Sequence, residues 1–293
     1  SKIHGQDMNG DGEGDFGSCI FKKRNAQSYF AIQTFAAPIV QTQGTAQGFH
    51  FDNSNMKPII NNDGWKKAFE LYKATGKYGP PDELNMDIGD TRALFKAGRC
   101  GLIVEWGDPG TLQLDDDASA IKGKMYAISA VGSKEVLDRA TGKLVPVSAS
   151  TAPYAVDGIN YAPFAAFGGW AGAVNKGADA KTKAAAYAFL SYMNQAAQSG
   201  VDVTIGATGY NPYRTSQLAS TDLWVKAGMP QALADNYLGA INGAINNLNM
   251  ASDMKIPGAQ KYTSVVLDTE LARYLAGEIS VDEALANIEE GWE

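Results

Sequence analysis

Two histidines, His4 and His50, are all that this chain of 293 residues offers to imidazole chemistry. Neither is placed near a candidate Ser or Cys nucleophile, and no G-x-S-x-G, H-E-x-x-H or Walker A pattern occurs. The chain is therefore read as a non-enzyme. A glycosidase needs only two carboxylates at a set separation, and the 32 acidic residues leave that one reading open. Long apolar runs are also lacking: Gly101 to Trp106 and Tyr161 to Val174 fall short of the roughly 20 residues of a membrane helix. Positive charge is in deficit, 25 Lys and Arg against 32 Asp and Glu. The net charge of −7 argues against nucleic acid or an anionic lipid as partner. There is no N-x-S/T sequon to mark a eukaryotic secretory route. No signal peptide is visible at Ser1, so the start reads as processed or truncated.

An apolar content of 45% can supply the cores of two lobes. Helical periodicity marks Trp65, Ala68, Phe69 and Tyr72 as one buried stripe, entered near Asp63 and stopped by Gly76. Similar stripes are Ala186, Phe189, Leu190 and Met193 after Asp179, and Leu233, Tyr237, Ala240, Ile241 and Ala244 after Pro230. Leu267, Leu271, Tyr274 and Leu275 close at Gly277, and Ser280 with Glu283 begins a capping box ahead of Ala284, Leu285 and Ile288. Strands are expected at Gly101 to Glu105, Met125 to Ala130 and Ala171 to Val174, giving a mixed α/β layout. No internal repeat stands out.

The run Asp7-Met8-Asn9-Gly10-Asp11-Gly12-Glu13-Gly14-Asp15 spaces oxygen donors as a Ca²⁺ loop does, with Gly12 at the sharp turn. Asp7, Asn9, Asp11, Glu13 and Asp15 are the expected ligands of a structural Ca²⁺; the bland alternative is a solvated acidic turn. It is not an EF-hand, because Ser18 stands where a bidentate Glu belongs. Gly12 to Gly17 also fits G-x-G-x-x-G, but no strand precedes it and its acids would repel a pyrophosphate. Cys19 and Cys100 are either a disulfide or two buried free thiols, which count alone leaves open. A bridge closing about 80 residues would stabilise by up to ~4 kcal/mol. The Ca²⁺-like loop favours the extracellular side.

Aromatic residues in loops carry the strongest hint of a ligand. Trp106 ends an apolar strand beside Asp108, Trp170 follows Gly168-Gly169, and Tyr210 and Tyr213 flank Asn211-Pro212 ahead of Arg214. A sugar has an apolar C–H face and a rim of hydroxyls, so its binders combine flat rings with Asp, Asn and Arg. Trp65 and Trp224 read instead as core plugs.

In this order these stretches resemble the family 1 extracellular solute-binding proteins, the sugar-binding components of ABC transporters. The resemblance rests on Ala93 to Cys100 followed by Trp106, on Phe167-Gly168-Gly169-Trp170, on Gly209-Tyr210-Asn211-Pro212-Tyr213-Arg214, and on Ile256 to Leu285. It implies a type II periplasmic-binding-protein-like α/β fold of two hinged lobes closing on a ligand. Residues 1–121 and 206–293 would form the C-terminal lobe, and 122–205 the returning part of the N-terminal lobe. Trp106, Asp108, Gly169, Trp170, Tyr210 and Arg214 would line the site. The chain would begin where such proteins are about a third complete, so an upstream segment or a second chain is expected to complete the N-terminal lobe. The acidic loop and the cysteine pair depart from the bacterial pattern and suggest an extracellular variant. The expected function is capture of a sugar or oligosaccharide outside the cytoplasm for a membrane transporter. The alternatives are a cell-surface receptor or structural ectodomain that docks another protein, and a glycoside-active enzyme.

Overall fold

A computed structural model describes residues 1–114, 119–166 and 169–293. In chain order the helices α1 (Ser28–Val40), α2 (Asp63–Thr75) and α3 (Ile88–Lys96) come first. Five short strands follow: β1 (Gly132–Ser133), β2 (Glu135–Asp138), β3 (Lys143–Pro146), β4 (Asn160–Tyr161) and β5 (Phe164–Ala165). Then come α4 (Ala180–Met193), α5 (Ala196–Asp202), α6 (Thr215–Leu218), α7 (Asp222–Lys226), α8 (Gln231–Ile245), β6 (Ala251–Ser252), α9 (Asp268–Ala276) and α10 (Val281–Trp292). β1 pairs antiparallel with β4, β2 antiparallel with β3, and β5 parallel with β6.

The chain divides into two compact units, one of Ser1–Glu105, Ile128–Phe167 and Ala240–Glu293, the other of Trp106–Ala127 and Gly168–Gly239. This differs from the division expected at 121/122 and 205/206, and packing explains why. The β2–β3 hairpin and Asn160 lie against α1 and α2, which draws 128–167 into the first unit. Tyr237 and Asn236 of α8 lie against Gly110 and Ala127, which joins residues 206–239 to the second.

The first unit is built on helices whose ends the sequence announces. Asn62 accepts the amides of Gly64 and Trp65 to open α2, and Trp65, Ala68, Phe69 and Tyr72 are all fully buried. Gly277, at φ +81°, ends α9 in the left-handed conformation that glycine adopts most easily. Ser280 accepts the Glu283 amide at 3.1 Å to start α10. Burying each large apolar side chain in this core stabilises by about 1.5–3 kcal/mol. α1 escaped the periodicity reading because Phe30, Ala31, Ile32, Ala36, Ala37, Ile39 and Val40 are buried around its whole circumference. A helix covered on all sides shows no amphipathic stripe.

Carbonyls at the end of α1 have no partner within the helix. The Asn160 side chain donates to Pro38 O at 2.7 Å and to Gln41 O at 2.8 Å, and Asn249 adds a donation to Gln41 O at 2.8 Å. A second buried polar set joins Lys22 to Glu83, whose Oε1 also accepts the Ile20 amide at 2.8 Å. Burial pushes the Lys22 ammonium down, and Glu83 opposes that shift.

The expected strands are largely not formed. Gly101 to Glu105 shrinks to a parallel bridge between Cys19 and Ile103, beside one between Phe16 and Cys100. Met125 to Ala130 forms no strand; Ala127 exchanges both its peptide hydrogen bonds with the Asn236 side chain instead. Ala171 to Val174 forms none either, since no strand among the described residues pairs with it. Cys19 and Cys100 are joined as a disulfide with Cα atoms 5.8 Å apart, so the free-thiol alternative is set aside.

His50 is buried between Phe49 and Trp292, and its Nε2 is hydrogen-bonded to Gln33 Oε1. Burial pushes the imidazole down to about 3. Below about pH 6.5 the unfolded chain takes up a proton that the folded chain refuses, so stability falls as pH drops toward 3. At about 1.4 kcal/mol per unit the loss should be on the order of 3 kcal/mol by pH ~4.5. Denaturant melts of the wild type and of His50→Gln across this range test it: the variant should lose most of the slope between pH 6.5 and 4.5, and equal slopes would reject the assignment.

Candidate functional site

All six residues expected to touch a ligand fall in the second unit, rather than being shared between two lobes. Trp106 opens the unit and is half-buried; Asp108, two residues on, is buried at the start of a 3₁₀ turn spanning Asp108–Leu114. That turn holds itself through Thr111 Oγ1 donating to Asp108 O at 2.8 Å and Gln113 Nε2 donating to Gly110 O at 3.0 Å. It packs on a second 3₁₀ turn, Gly206–Thr208, which delivers Gly209 and Tyr210.

Gly209 has φ +70°, and a Cβ placed on it would stand 3.9 Å from Asp108 Oδ2. The structure thus brings Asp108 beside the Gly209–Tyr210 backbone. The Tyr210 amide donates to Thr208 Oγ1 at 3.3 Å, and that hydroxyl donates to Asp202 O at 2.9 Å. Gly169 has φ +99° with open space around its Cα, and Trp170 after it is 77% exposed. Phe167 and Gly168, part of the same motif, lie outside the described residues.

Arg214 is directed elsewhere. Its Nε donates to Ser199 Oγ at 3.1 Å and its Nη2 donates to Asn194 O, so the guanidinium ties the end of α4 and α5 to the 210–214 turn. Gln217 completes this clamp: its Oε1 accepts the amides of Tyr213 and Arg214, and its Nε2 donates to Ser199 Oγ at 3.2 Å.

One residue near Asp108 was read from sequence only as core. Tyr237 of α8 is buried against Trp224 and Gly110, and its hydroxyl makes no hydrogen bond. Burial first, and the neighbouring Asp108 carboxylate second, push its titration well above the usual phenol range. Only its apolar helical spacing shows in the sequence; the hydroxyl's approach to Asp108 arises from packing.

The acidic loop lies in the first unit and is organised around a protein cation. Asp7 accepts the amides of Gly10, Asp11 and Gly12, Asn9 accepts that of Asp11, and Asp11 accepts that of Glu13. Asp15 is fully buried and accepts the amides of Met8 and Asn9. Arg99 lies 2.8 Å from Asp11, 3.4 Å from Glu13 and 3.2 Å from Asp15. The Glu13 amide, the Asn9 side chain and Arg99 hold the Asp11 carboxyl below its ordinary range. Among the described residues no group of three or more His, Cys, Asp or Glu is arranged to hold a metal ion.

No family model matches the chain, and no curated protein matches it in sequence. Solved structures do match. An ABC-transporter solute-binding protein of Agrobacterium radiobacter in complex with ribitol aligns at TM-score 0.63 and 19% identity, covering 99% of this chain and 60% of its own. A maltose-bound protein of T. maritima aligns at TM-score 0.60 and 15% identity, covering 93% of this chain and 59% of its own. An Agrobacterium vitis solute-binding protein with bound D-mannitol aligns at TM-score 0.55 and 19% identity, covering 94% and 60%. The chain has the type II periplasmic-binding-protein fold. It spans about 60% of the length of the solved solute-binding structures it matches. Identities this low carry the solute-binding fold and nothing finer.

In that fold Gly110 is a packing requirement of the candidate site, because a Cβ there would lie 2.2 Å from Tyr237 Cε2. Gly110→Ala should cost about 1–3 kcal/mol by overpacking. Gly239→Ala, in the same unit and with open space around it, should be neutral or slightly stabilising. Thermal melts of the two variants test the packing; equal melting temperatures would show that Tyr237 does not sit over Gly110.

Proposed function

We propose that this chain is the ligand-holding part of an extracytoplasmic solute-binding protein that captures a sugar, sugar alcohol or oligosaccharide without bond chemistry. The observation that carries this reading is Trp170, a 77% exposed indole set beside the open backbone of Gly169, in a chain whose fold matches ribitol-, maltose- and mannitol-bound structures. An exposed indole costs free energy in water and supplies a flat apolar platform for a sugar face. Asp108, next to Gly209 and Tyr210, would supply directed hydrogen bonds, with Trp106 and Tyr210 as further rings. Arg214 acts in this reading by holding the 210–214 turn. No helix among the described residues is long and apolar enough to cross a membrane, which suits an extracellular or periplasmic protein that hands its ligand to a membrane transporter.

A ligand that binds only the folded form stabilises it by about 2.7 kcal/mol at a hundredfold excess over Kd. Melts with ribitol, mannitol, maltose and maltotriose should show a rise for at least one, abolished by Trp170→Ala without loss of the unliganded fold. A flat response to the whole panel would overturn the sugar reading. It would favour the receptor or ectodomain alternative, for which the exposed rings of Tyr187, Phe189 and Tyr192 on α4 are the supporting observation. Release of a reducing sugar from a glycoside would instead support the enzymatic alternative.

Calcium enters this reading as a competitor of Arg99 for the Asp7–Asp15 loop. With the guanidinium in place the carboxylates already face a cation, so a chelator should leave the wild-type melt unchanged. Arg99→Ala leaves Asp11, Glu13 and Asp15 uncompensated and should lower the melting temperature, and millimolar Ca²⁺ should restore it. Absence of any Ca²⁺ effect on Arg99→Ala would dismiss calcium from the loop.

A further inference from the structure

Tyr237 carries a hydroxyl that packing does not explain. The residue is 3% exposed, and a Cβ placed on Gly110 would stand 2.2 Å from its Cε2 and 3.1 Å from Cζ, the carbon that bears the hydroxyl. The oxygen end of the ring therefore sits at the Asp108–Leu114 turn. No group among the described residues makes a hydrogen bond to it there. Gln113 is tied to the same turn, its Nε2 donating to Gly110 O at 3.0 Å, yet its own Oε1 is buried without a hydrogen bond. The acceptor nearest in sequence thus does not take the phenol proton. A buried polar atom without a partner costs free energy, and phenylalanine would fill the same space without that cost. The hydroxyl calls for a reason beyond packing.

Asp108 supplies the second half of the arrangement. Its Oδ2 lies 3.9 Å from a Cβ placed on Gly209, and no other described atom outside that glycine and its two chain neighbours comes within 4 Å of the same point. The missing side chain leaves room beside the carboxylate. Burial first, and the Asp108 carboxylate second, hold the Tyr237 proton on its oxygen, so the phenol remains a donor at and above neutral pH. A carboxylate only accepts, whereas a phenol O–H also donates. A ligand hydroxyl matches both, giving its hydrogen to Asp108 and taking that of Tyr237 on a lone pair. An ether or carbonyl oxygen has no hydrogen for Asp108, and an ammonium has no lone pair for Tyr237.

We propose that Asp108 and Tyr237 together read one neutral ligand hydroxyl, with Tyr237 as a specificity-determining residue of the site. This rests on the sugar reading and narrows it to ligands that place a free hydroxyl beside Gly209. A site built to pair with a hydroxyl rejects the analogue that lacks it, because the protein groups are then left buried and unmatched.

The test uses whichever of ribitol, mannitol, maltose and maltotriose raises the wild-type melting temperature most, together with its monodeoxy analogues, with Kd read by titration calorimetry. Unliganded Tyr237→Phe should melt no lower than the wild type, since it removes an unmatched group, and should bind the parent compound at least about tenfold more weakly. One monodeoxy analogue should bind the wild type more weakly than the parent does, by a ratio that shrinks at least about threefold in Tyr237→Phe. A purely structural role for the hydroxyl would not move that ratio. A lower melting temperature of unliganded Tyr237→Phe, an unchanged Kd, or an unchanged ratio for every analogue would each overturn the proposal. If Trp170→Ala abolishes binding while Tyr237→Phe binds as the wild type does, the sugar reading stands and this inference alone falls. A flat wild-type response to all four compounds removes both.

Discussion

The covalent link between Cys19 and Cys100 holds together two stretches 81 residues apart, and much of the first unit is arranged around it. Loop-closure entropy puts its contribution at up to ~4 kcal/mol, a large share of a typical domain's net stability. The local consequences are visible on both sides of the bridge. Residues 16–19 and 99–103 run parallel, with the Phe16 amide donating to Arg99 O and the Cys19 amide donating to Leu102 O, both at 2.9 Å. Arg99, next to Cys100, is thereby delivered to the carboxylates of Asp11, Glu13 and Asp15. The stretch after Cys100 leads directly into Trp106 and Asp108, where the second unit begins.

Buried polar groups supply specificity that apolar packing alone would not. Asn160 and Asn249 meet the carbonyls at the end of α1, and Glu83 meets both Lys22 and the Ile20 amide. Each fixes one register of segments that are distant in sequence, because any other register would leave a buried donor or acceptor unmatched. In the second unit the balance differs. Tyr237 keeps an unmatched hydroxyl close to a buried carboxylate, and α4 keeps its apolar flanks in water.

Much of the helical architecture was legible in the sequence. The stripes at Trp65 to Tyr72 and Leu267 to Leu275, the caps at Asp179 and Ser280, and the stop at Gly277 depend on neighbours within a turn or two. Trp65 and Trp224 are core plugs as read. The missed elements lack a readable period for two reasons: α1 is buried all round, and the β2–β3 strands are too short for alternation to register. The strands expected at 125–130 and 171–174 have suitable composition, but a strand exists only when a partner strand pairs with it.

The candidate site divides in the same way. The residue types came from sequence: rings at Trp106, Trp170 and Tyr210, a carboxylate at Asp108, a glycine ahead of Trp170. Their grouping in one compact unit, the diversion of Arg214 to Ser199 and Asn194, the place of Tyr237 beside Asp108, and the seating of Arg99 in the acidic loop did not. Local propensity and capping act over a few residues and can be read along the chain. Which cation answers which carboxylate, and which face of a helix stays bare, depend on segments brought together only by folding. On those points the tertiary structure alone decided.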